Sequence, residues 1–163
     1  MSCPVHGGQG LGESSTSLAG QDTSEQNMRN REFIWQVTVY YEDTDAAGLV
    51  YHANYLRFLE RARTEWLRDA GFEQRLLLNE QRIAFAVRNI EIEFLKPARL
   101  DDCIDITVAV VKGGHASLVL SQSIFRGDEV LCNANVRLAC INIDGGRPIG
   151  IPKDVTAELI HGS

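Results

Sequence analysis

A chain of 163 residues, 44% of them hydrophobic, is long enough to bury one core, so a single domain is expected. Its formal net charge is -6, from 16 basic and 22 acidic residues, and no block of like charge occurs, which argues against nucleic acid as a partner. The longest apolar run is too short to span a membrane, and the first basic residue is Arg29, so the charged region of a signal peptide is missing. The sequence therefore predicts a cytoplasmic protein.

Residues 1–30 are rich in Gly, Ser, Thr and Gln and show no hydrophobic period. Such a segment cannot bury enough apolar surface to offset the entropy of ordering, so we predict a disordered tail. Residues 31–163 are expected to form the folded domain.

The four cysteines are far apart in the sequence and show no CxxC or Cys/His ligand pattern; they are Cys3, Cys103, Cys132 and Cys140. Free thiols are expected from this spacing, and no metal site is predicted.

A first strand is predicted from apolar residues of one parity, namely Phe33, Trp35, Val37, Val39 and Tyr41. The acidic and small residues after it interrupt the alternation, which predicts a tight loop.

From residue 53 the apolar period becomes helical, with Tyr55, Leu56, Leu59, Ala62, Trp66, Leu67 and Ala70 on one side. Arg63 is grouped with the charged residues of the other side. The predicted helix runs over residues 53–70, about 27 Å, and ends at Gly71 in a left-handed conformation.

Downstream of a connector over residues 72–81, expected to hold one helical turn, the pattern is almost entirely that of strands. The apolar parity of the second strand changes near Arg88 and Asn89, which predicts a β-bulge. Three further alternating runs are separated by Gly113-Gly114 and Gly127-Asp128, as in an antiparallel meander. After them, residues 151–160 are expected to form a short tail with one helical turn following Pro152. One long helix wrapped by a five-stranded antiparallel sheet is the α+β hotdog fold.

The run YYEDTDAAGLVYHANYLRFLERARTEWL, at residues 40–67, resembles the signature of the 4-hydroxybenzoyl-CoA thioesterase superfamily. Within that superfamily the sequence is most similar to the Tol-Pal-associated acyl-CoA thioesterases of the YbgC type, over residues 35–155 and including AFAVRNIEIEFLKPARLDD. The resemblance implies hydrolysis of acyl-CoA or acyl-carrier-protein thioesters without a cofactor. It also implies a homodimer or homotetramer, and a role near the Tol-Pal machinery or phospholipid synthesis.

Asp45 matches the catalytic aspartate of this family, which implies a role as nucleophile or general base. The alternative is a loop residue that caps a turn. His52, seven residues later, matches the YbgC-type motif and is suited to orienting water, hydrogen-bonding the substrate or protonating the leaving thiolate, the alternative being a structural histidine. Backbone N–H groups around Tyr51 to Ala53 are candidate oxyanion donors, and Gly48 would let the loop turn tightly or approach the substrate.

Five basic residues are candidates to meet the phosphates of coenzyme A, although scattered basic residues are usually solvated; they are Arg88, Lys96, Arg99, Lys112 and His115. Asp43 is expected to shape the loop through hydrogen bonds.

Three rival classes remain open at this stage. A strand followed by Asp43-Thr44-Asp45 imitates the DxD motif of magnesium-dependent haloacid-dehalogenase phosphatases, but that fold needs alternating strands and helices. A hotdog dehydratase would use a His and an acidic residue in a motif that does not occur here. A non-catalytic acyl-CoA-binding module would keep the fold without the chemistry, and the presence of Asp45 and His52 argues against it.

Overall fold

The computed structural model describes residues 32–161, so the predicted tail over residues 1–30 lies outside the described part. Five strands and three α-helices follow one another, with a short 3-10 turn after the first strand. In chain order they are β1 (Phe33–Thr38), the 3-10 turn (Tyr41–Asp43), α1 (His52–Asp69), α2 (Gln74–Glu80), β2 (Ile83–Phe94), β3 (Cys103–Gly113), β4 (Ser117–Arg126), β5 (Glu129–Asn142) and α3 (Lys153–His161).

The five strands form one sheet in the order β1-β3-β4-β5-β2, and every neighbouring pair is antiparallel. The predicted meander of β3, β4 and β5 and the five-stranded antiparallel sheet are therefore confirmed. The register of β2 against β5 shifts between Val87 and Asn89, where the change of parity predicted a bulge. Strands β1 and β2 form the two edges of the sheet within this chain.

Helix α1 lies across β1 and β3 and supplies one side of the core. Its buried residues include Tyr55, Phe58, Leu59, Ala62 and Trp66. These pack against strand residues whose side chains are fully buried, among them Ile104, Ile106, Leu118, Leu120 and Ile124. The helix covers 18 residues and is followed by Gly71 at φ +86°, so its predicted extent and its C-terminal glycine are confirmed.

Two side chains of α1 differ from the simple amphipathic expectation. Leu56, expected on the buried side, is 40% exposed. Arg63, grouped with the polar side, is buried, and its guanidinium donates to Gln122 Oε1 at 2.8 Å and to Glu60 Oε2 at 2.5 Å. A buried charge is tolerated because both of these partners satisfy it.

Three local predictions are wrong. Strand β1 ends at Thr38, and Tyr41 is 84% exposed within the 3-10 turn instead of continuing the strand. The connector contains the seven-residue helix α2, which buries Leu77, and the described part of the chain ends with the nine-residue helix α3, in which Val155 and Leu159 are buried. These apolar contacts stabilise helices longer than the single turns that were expected.

The strand cysteines fall into two groups. Cys132 and Cys140 are buried free thiols, and burial raises the pKa of both, that of Cys132 to about 12. Cys103, at the start of β3, is half-buried.

Over residues 32–161, none of the helices combines the length and the apolar character needed to cross a membrane.

Candidate active site

Asp43 ties the 3-10 turn to the start of helix α1. Its carboxylate Oδ2 accepts the Tyr40 N–H at 2.8 Å. Its carbonyl oxygen accepts the Tyr51 N–H at 3.0 Å and the Asn54 Nδ2–H at 2.9 Å, and both Asp43 and Asn54 are buried. These bonds agree with a loop-shaping role, because the carboxylate and the carbonyl both serve the local backbone.

Residues 95–102, which we call the strap, lie behind the loop that follows Asp43. Leu49 forms a β-bridge with Arg99, and the Val50 N–H donates to the Ala98 carbonyl at 2.9 Å. The Ala98 N–H donates in turn to the hydroxyl of Tyr55 on α1 at 2.9 Å. Burial raises the pKa of Tyr55, so this hydroxyl stays neutral. The strap thus fixes the loop against the helix.

Asp45 lies on the exposed side of this loop, and one oxygen of its carboxylate holds the turn together. Oδ1 accepts the N–H groups of Ala47 at 2.8 Å and of Leu49 at 3.3 Å. The turn closes through Gly48, whose φ of +73° is a conformation that glycine adopts without strain. Among the described residues, no hydrogen-bond donor reaches the second oxygen, Oδ2, which is therefore available to a substrate or to water.

Asp45 and His52 face a shared cleft of about 380 Å³ between the start of α1 and the end of β2. Ten residues line it: Asp45, Leu49, Val50, Tyr51, His52, Tyr55, Phe94, Leu95, Lys96 and Pro97. Four of these are site residues predicted from the sequence, namely Asp45, Tyr51, His52 and Lys96. The prediction missed the residues around Phe94, although Pro97 at the end of the second strand indicated that the chain turns there.

The N-terminus of α1 lies at this cleft, because His52, the first residue of the helix, lines it. The Tyr51 N–H is already bonded to Asp43, which corrects the expectation that it contributes to an oxyanion site. Tyr51 offers no side-chain cap to the helix. The N–H groups of His52 and Ala53, in the first turn, have no earlier helical carbonyl to bond. They are the donors that remain for a developing negative charge.

The two aromatic side chains at this helix terminus are in contact. The rings of Tyr51 and His52 lie 4.3 Å apart between centroids, with a tilt of 53°. Both side chains are exposed, so a substrate entering the cleft can reach them.

Lys96 reaches the cleft rim as part of a charged network. Its Nζ lies 2.5 Å from Glu129 Oε1, and Arg126 pairs with both Glu129 and Asp102. Hydrogen bonds from Lys96 and then from Arg126 lower the pKa of Glu129. Within one chain the lysine charge is therefore already paired.

Arg88 and Lys112 do not meet the cleft of their own chain. Arg88 precedes Phe94 by six residues of β2, a separation of about 20 Å along the strand. Lys112 lies near the hairpin end of β3, about 30 Å along that strand from its start beside β1.

A sequence model of the thioesterase-like superfamily matches residues 39–159. The chain belongs to this superfamily. Within it, the acyl-CoA thioesterase YbgC of Haemophilus influenzae is 42% identical over 134 residues, spanning 82% of this chain and 98% of that protein. The acyl-CoA thioester hydrolase YbgC of Escherichia coli O6:H1 is 45% identical over 133 residues, spanning 81% and 98%. The family resemblance read from the loop and helix is thus confirmed.

Solved structures of this superfamily share the fold. A probable thioesterase from Bartonella henselae superposes with a TM-score of 0.72 at 39% identity, covering 74% of this chain and 99% of that one. A protein from Aquifex aeolicus superposes with a TM-score of 0.72 at 29% identity, covering 78% and 98%. The predicted hotdog fold is confirmed.

Proposed function

We propose that this thioester hydrolase cleaves acyl-CoA to a free acid and coenzyme A, with Asp45 as nucleophile or general base. The observation that carries the assignment is the hydrogen bonding of the two oxygens of the Asp45 carboxylate. Two backbone N–H groups hold it through Oδ1, while Oδ2 is available beside the open N-terminus of α1. Identities of 42% and 45% to acyl-CoA thioester hydrolases support the substrate class.

The chemistry follows from placing the thioester carbonyl oxygen at the N–H groups of His52 and Ala53. These donors and the positive end of the helix dipole stabilise the negative charge that develops on that oxygen. In one route Asp45 Oδ2 attacks the carbonyl carbon, the C–S bond breaks, and water then hydrolyses the resulting anhydride. In the other, Asp45 accepts a proton from the water that attacks directly. Both routes release a thiolate, which His52 is placed to protonate.

Substrate binding is assigned around this centre. Gly48 keeps the loop compact enough for the substrate to approach Asp45, and Tyr51 forms one wall of the cleft. Lys96 meets the anionic coenzyme by exchanging its partner Glu129 for a phosphate. Arg88 and Lys112 would meet coenzyme A only at the cleft of a second copy, since their own cleft lies far from them.

A homodimer or homotetramer accompanies this function. Strand β2 is an edge of the sheet within one chain, and edge strands are usually covered or paired. We expect light scattering at micromolar concentration to give the mass of a dimer or tetramer, and a monomer would contradict this assignment.

The deciding experiment is a screen of acyl-CoA thioesters of graded length, with released thiol as the signal and no added metal. Acyl-carrier-protein thioesters, tested in parallel, would establish whether the carrier protein is also a substrate. Thiol release supports the proposal. Binding without turnover would indicate an acyl-CoA-binding module, and phosphate release from a phosphate ester, in a separate assay with added magnesium, would indicate a phosphatase. The antiparallel sheet already argues against a phosphatase of the haloacid-dehalogenase class.

A further inference from the structure

The position of the Asp45 carboxylate depends on Leu49, four residues later in the same loop. The Asp45 N–H donates to the Leu49 carbonyl at 2.8 Å, and the Leu49 N–H donates back to Asp45 Oδ1 at 3.3 Å. A third bond, from the Ala47 N–H to Oδ1 at 2.8 Å, lies within the turn itself. Whatever fixes Leu49 therefore also fixes the carboxylate that we propose to react.

The strap fixes Leu49 from outside the loop. Leu49 bridges to Arg99, and the neighbouring Val50 N–H donates to the carbonyl of Ala98, a residue with no exposed surface. Residues 95–102 belong to neither a helix nor a strand of the sheet, so no regular ladder of hydrogen bonds holds them. The position of the strap therefore depends on individual contacts.

One end of the strap contains a residue in an unfavourable conformation. The Asp101 N–H donates to the Val39 carbonyl at 3.1 Å, and the Val39 N–H donates to the Asp102 carbonyl at 2.9 Å. Asp101 has φ +65°, in the left-handed region that residues other than glycine seldom adopt. Such a conformation persists only where the surrounding contacts enforce it. Further contacts must therefore hold this end of the strap in place.

The side chain of Arg126, the last residue of β4, supplies such contacts. Its Nη1 donates to Asp102 Oδ2 at 2.7 Å and to the Pro97 carbonyl at 3.4 Å, so one guanidinium joins two separate points of the strap. Asp102 Oδ2 also accepts the Arg99 N–H at 2.8 Å. Arg126 is therefore connected to Leu49 through Asp102 and Arg99.

Arg126 is connected to the reaction centre in two ways, although it lies outside the cleft. The ten described residues that line the cleft do not include it. Its Nη2 pairs with Glu129, which in turn pairs with Lys96 at the cleft rim. A path through Glu129 and Lys96 would alter substrate binding, whereas a path through the strap would alter the placement of Asp45.

The strap path has the more buried contact. The side chains of Arg126 and Asp102 are 32% and 19% exposed, so water competes only partly for the bond between them. Lys96, by contrast, is 57% exposed. The bond that links Arg126 to Asp102 is therefore better suited to hold a fixed geometry than the one that links Glu129 to Lys96.

We propose that Arg126 is a positioning residue for thioester hydrolysis, and that it holds Asp45 in its reactive position through Asp102, the strap and Leu49. This inference rests on the proposed function, because it takes the Asp45 carboxylate as the reacting group. A displacement of a reacting group by about 1 Å can lower the rate about 10²-fold. Loss of the guanidinium should therefore reduce kcat, although Arg126 does not touch the substrate.

Arg126→Met provides the test, because methionine keeps an aliphatic side chain and removes every hydrogen bond of the guanidinium. Well below the melting temperature, kcat for acyl-CoA should fall at least about tenfold, whereas the affinity for a non-hydrolysable acyl-CoA analogue should stay within about threefold of wild type. Hydrogen exchange, read by mass spectrometry, should become faster in the loop over residues 45–52 and remain unchanged in helix α3.

Arg82→Met is the matched control. Arg82 also forms an ion pair with an aspartate, Asp144, but it precedes Ile83, at the end of β2 opposite to Phe94 and the cleft. The side chain and the charge change in the same way as in Arg126→Met. Its kcat should stay within about twofold of wild type, and its loop should exchange at the wild-type rate.

Asp102→Asn tests the proposed path. Asparagine can still accept the Arg99 N–H, but it lacks the charge that pairs with Arg126. Arg126→Met and Asp102→Asn remove the same interaction, so the double variant should lose no more than about twofold in kcat beyond Arg126→Met alone. Arg126→Lys restores a charge beside Asp102 without the planar fork and should recover part of kcat. If Arg126→Met does not fold, kcat and analogue affinity in Asp102→Asn and Arg126→Lys decide.

A kcat within about twofold of wild type in folded Arg126→Met would overturn the proposal. Weaker analogue binding at unchanged kcat would do the same, because it would assign the effect to Lys96. Losses that multiply in the double variant, or an unchanged exchange rate in the loop, would also overturn it. If the wild type hydrolysed no acyl-CoA thioester, the proposed function itself would fail. An active wild type with an unaffected Arg126→Met removes only the assignment of Arg126.

Discussion

Asp45→Asn separates the charge of the proposed catalytic group from its structural role. The side-chain oxygen of asparagine can still accept the N–H groups of Ala47 and Leu49, so the turn should persist. Exchanging charged for neutral hydrogen bonds at an exposed site should cost at most about 1 kcal/mol of folding free energy. For a domain of this size the melting temperature should fall by no more than about 4 °C.

The effect on turnover should be far larger. Without a carboxylate to attack or to accept a proton, kcat should fall at least about 10²-fold, which corresponds to about 2.7 kcal/mol in the barrier. Thiol release gives kcat, and calorimetry with a non-hydrolysable acyl-CoA analogue should show affinity close to wild type. Glu42→Gln removes a charge from the exposed 3-10 turn nearby and should remain within about twofold of wild type. A loss below tenfold in Asp45→Asn, with binding intact, would refute the assignment of Asp45.

Three further outcomes are expected. His52→Ala should lower kcat less than Asp45→Asn and should alter the pH profile of thiol release, because water or buffer can protonate the thiolate in its place. Asp43→Asn should lower the melting temperature, because it weakens the hydrogen bond from the Tyr40 N–H, and its loss of kcat should be smaller than that of Asp45→Asn. If Asp43→Asn instead abolished turnover and the wild type required magnesium, the phosphatase would be favoured. The Cys132 thiol, whose pKa is about 12, should resist alkylation at pH 8 until the protein is denatured, as read by mass spectrometry. Because its folded-state pKa is raised from about 9, its contribution to stability should be present below pH 9 and lost as the pH rises toward 12.

The elements that the sequence predicted well are those with local causes. Helix α1 has a 3.6-residue apolar period and a glycine after its last turn, and both signals lie within the segment itself. The bulge in β2 was visible because a one-residue slip moves every apolar side chain to the other face of the strand. Asp45 and His52 were selected because they match the family motif, and both line one cleft because a loop and a following helix start keep them close in space.

Features that depend on contacts with a distant helix, strand or loop could not be predicted from the local sequence pattern. Arg63 is buried because Gln122, 59 residues away on β4, accepts its hydrogen bond, and no pattern within α1 indicates that partner. Tyr41 continues the parity of β1, yet the bond between Asp43 and the Tyr40 N–H turns the chain before it can pair. Arg88 and Lys112 were selected by charge alone, and charge does not indicate which end of a strand lies at the cleft.

In the candidate site, the groups that hold the backbone differ from the group that we propose to react. Asp43, Asn54 and the strap fix both ends of the loop through main-chain hydrogen bonds. Asp45 adds two bonds through a single oxygen, and its other oxygen is the one that we propose to react. Removing a buried anchor should therefore disturb stability and activity together, whereas removing the charge of Asp45 should disturb activity alone. The ratio of these two effects, measured for Asp43→Asn and Asp45→Asn, identifies which of the two aspartates reacts with the substrate.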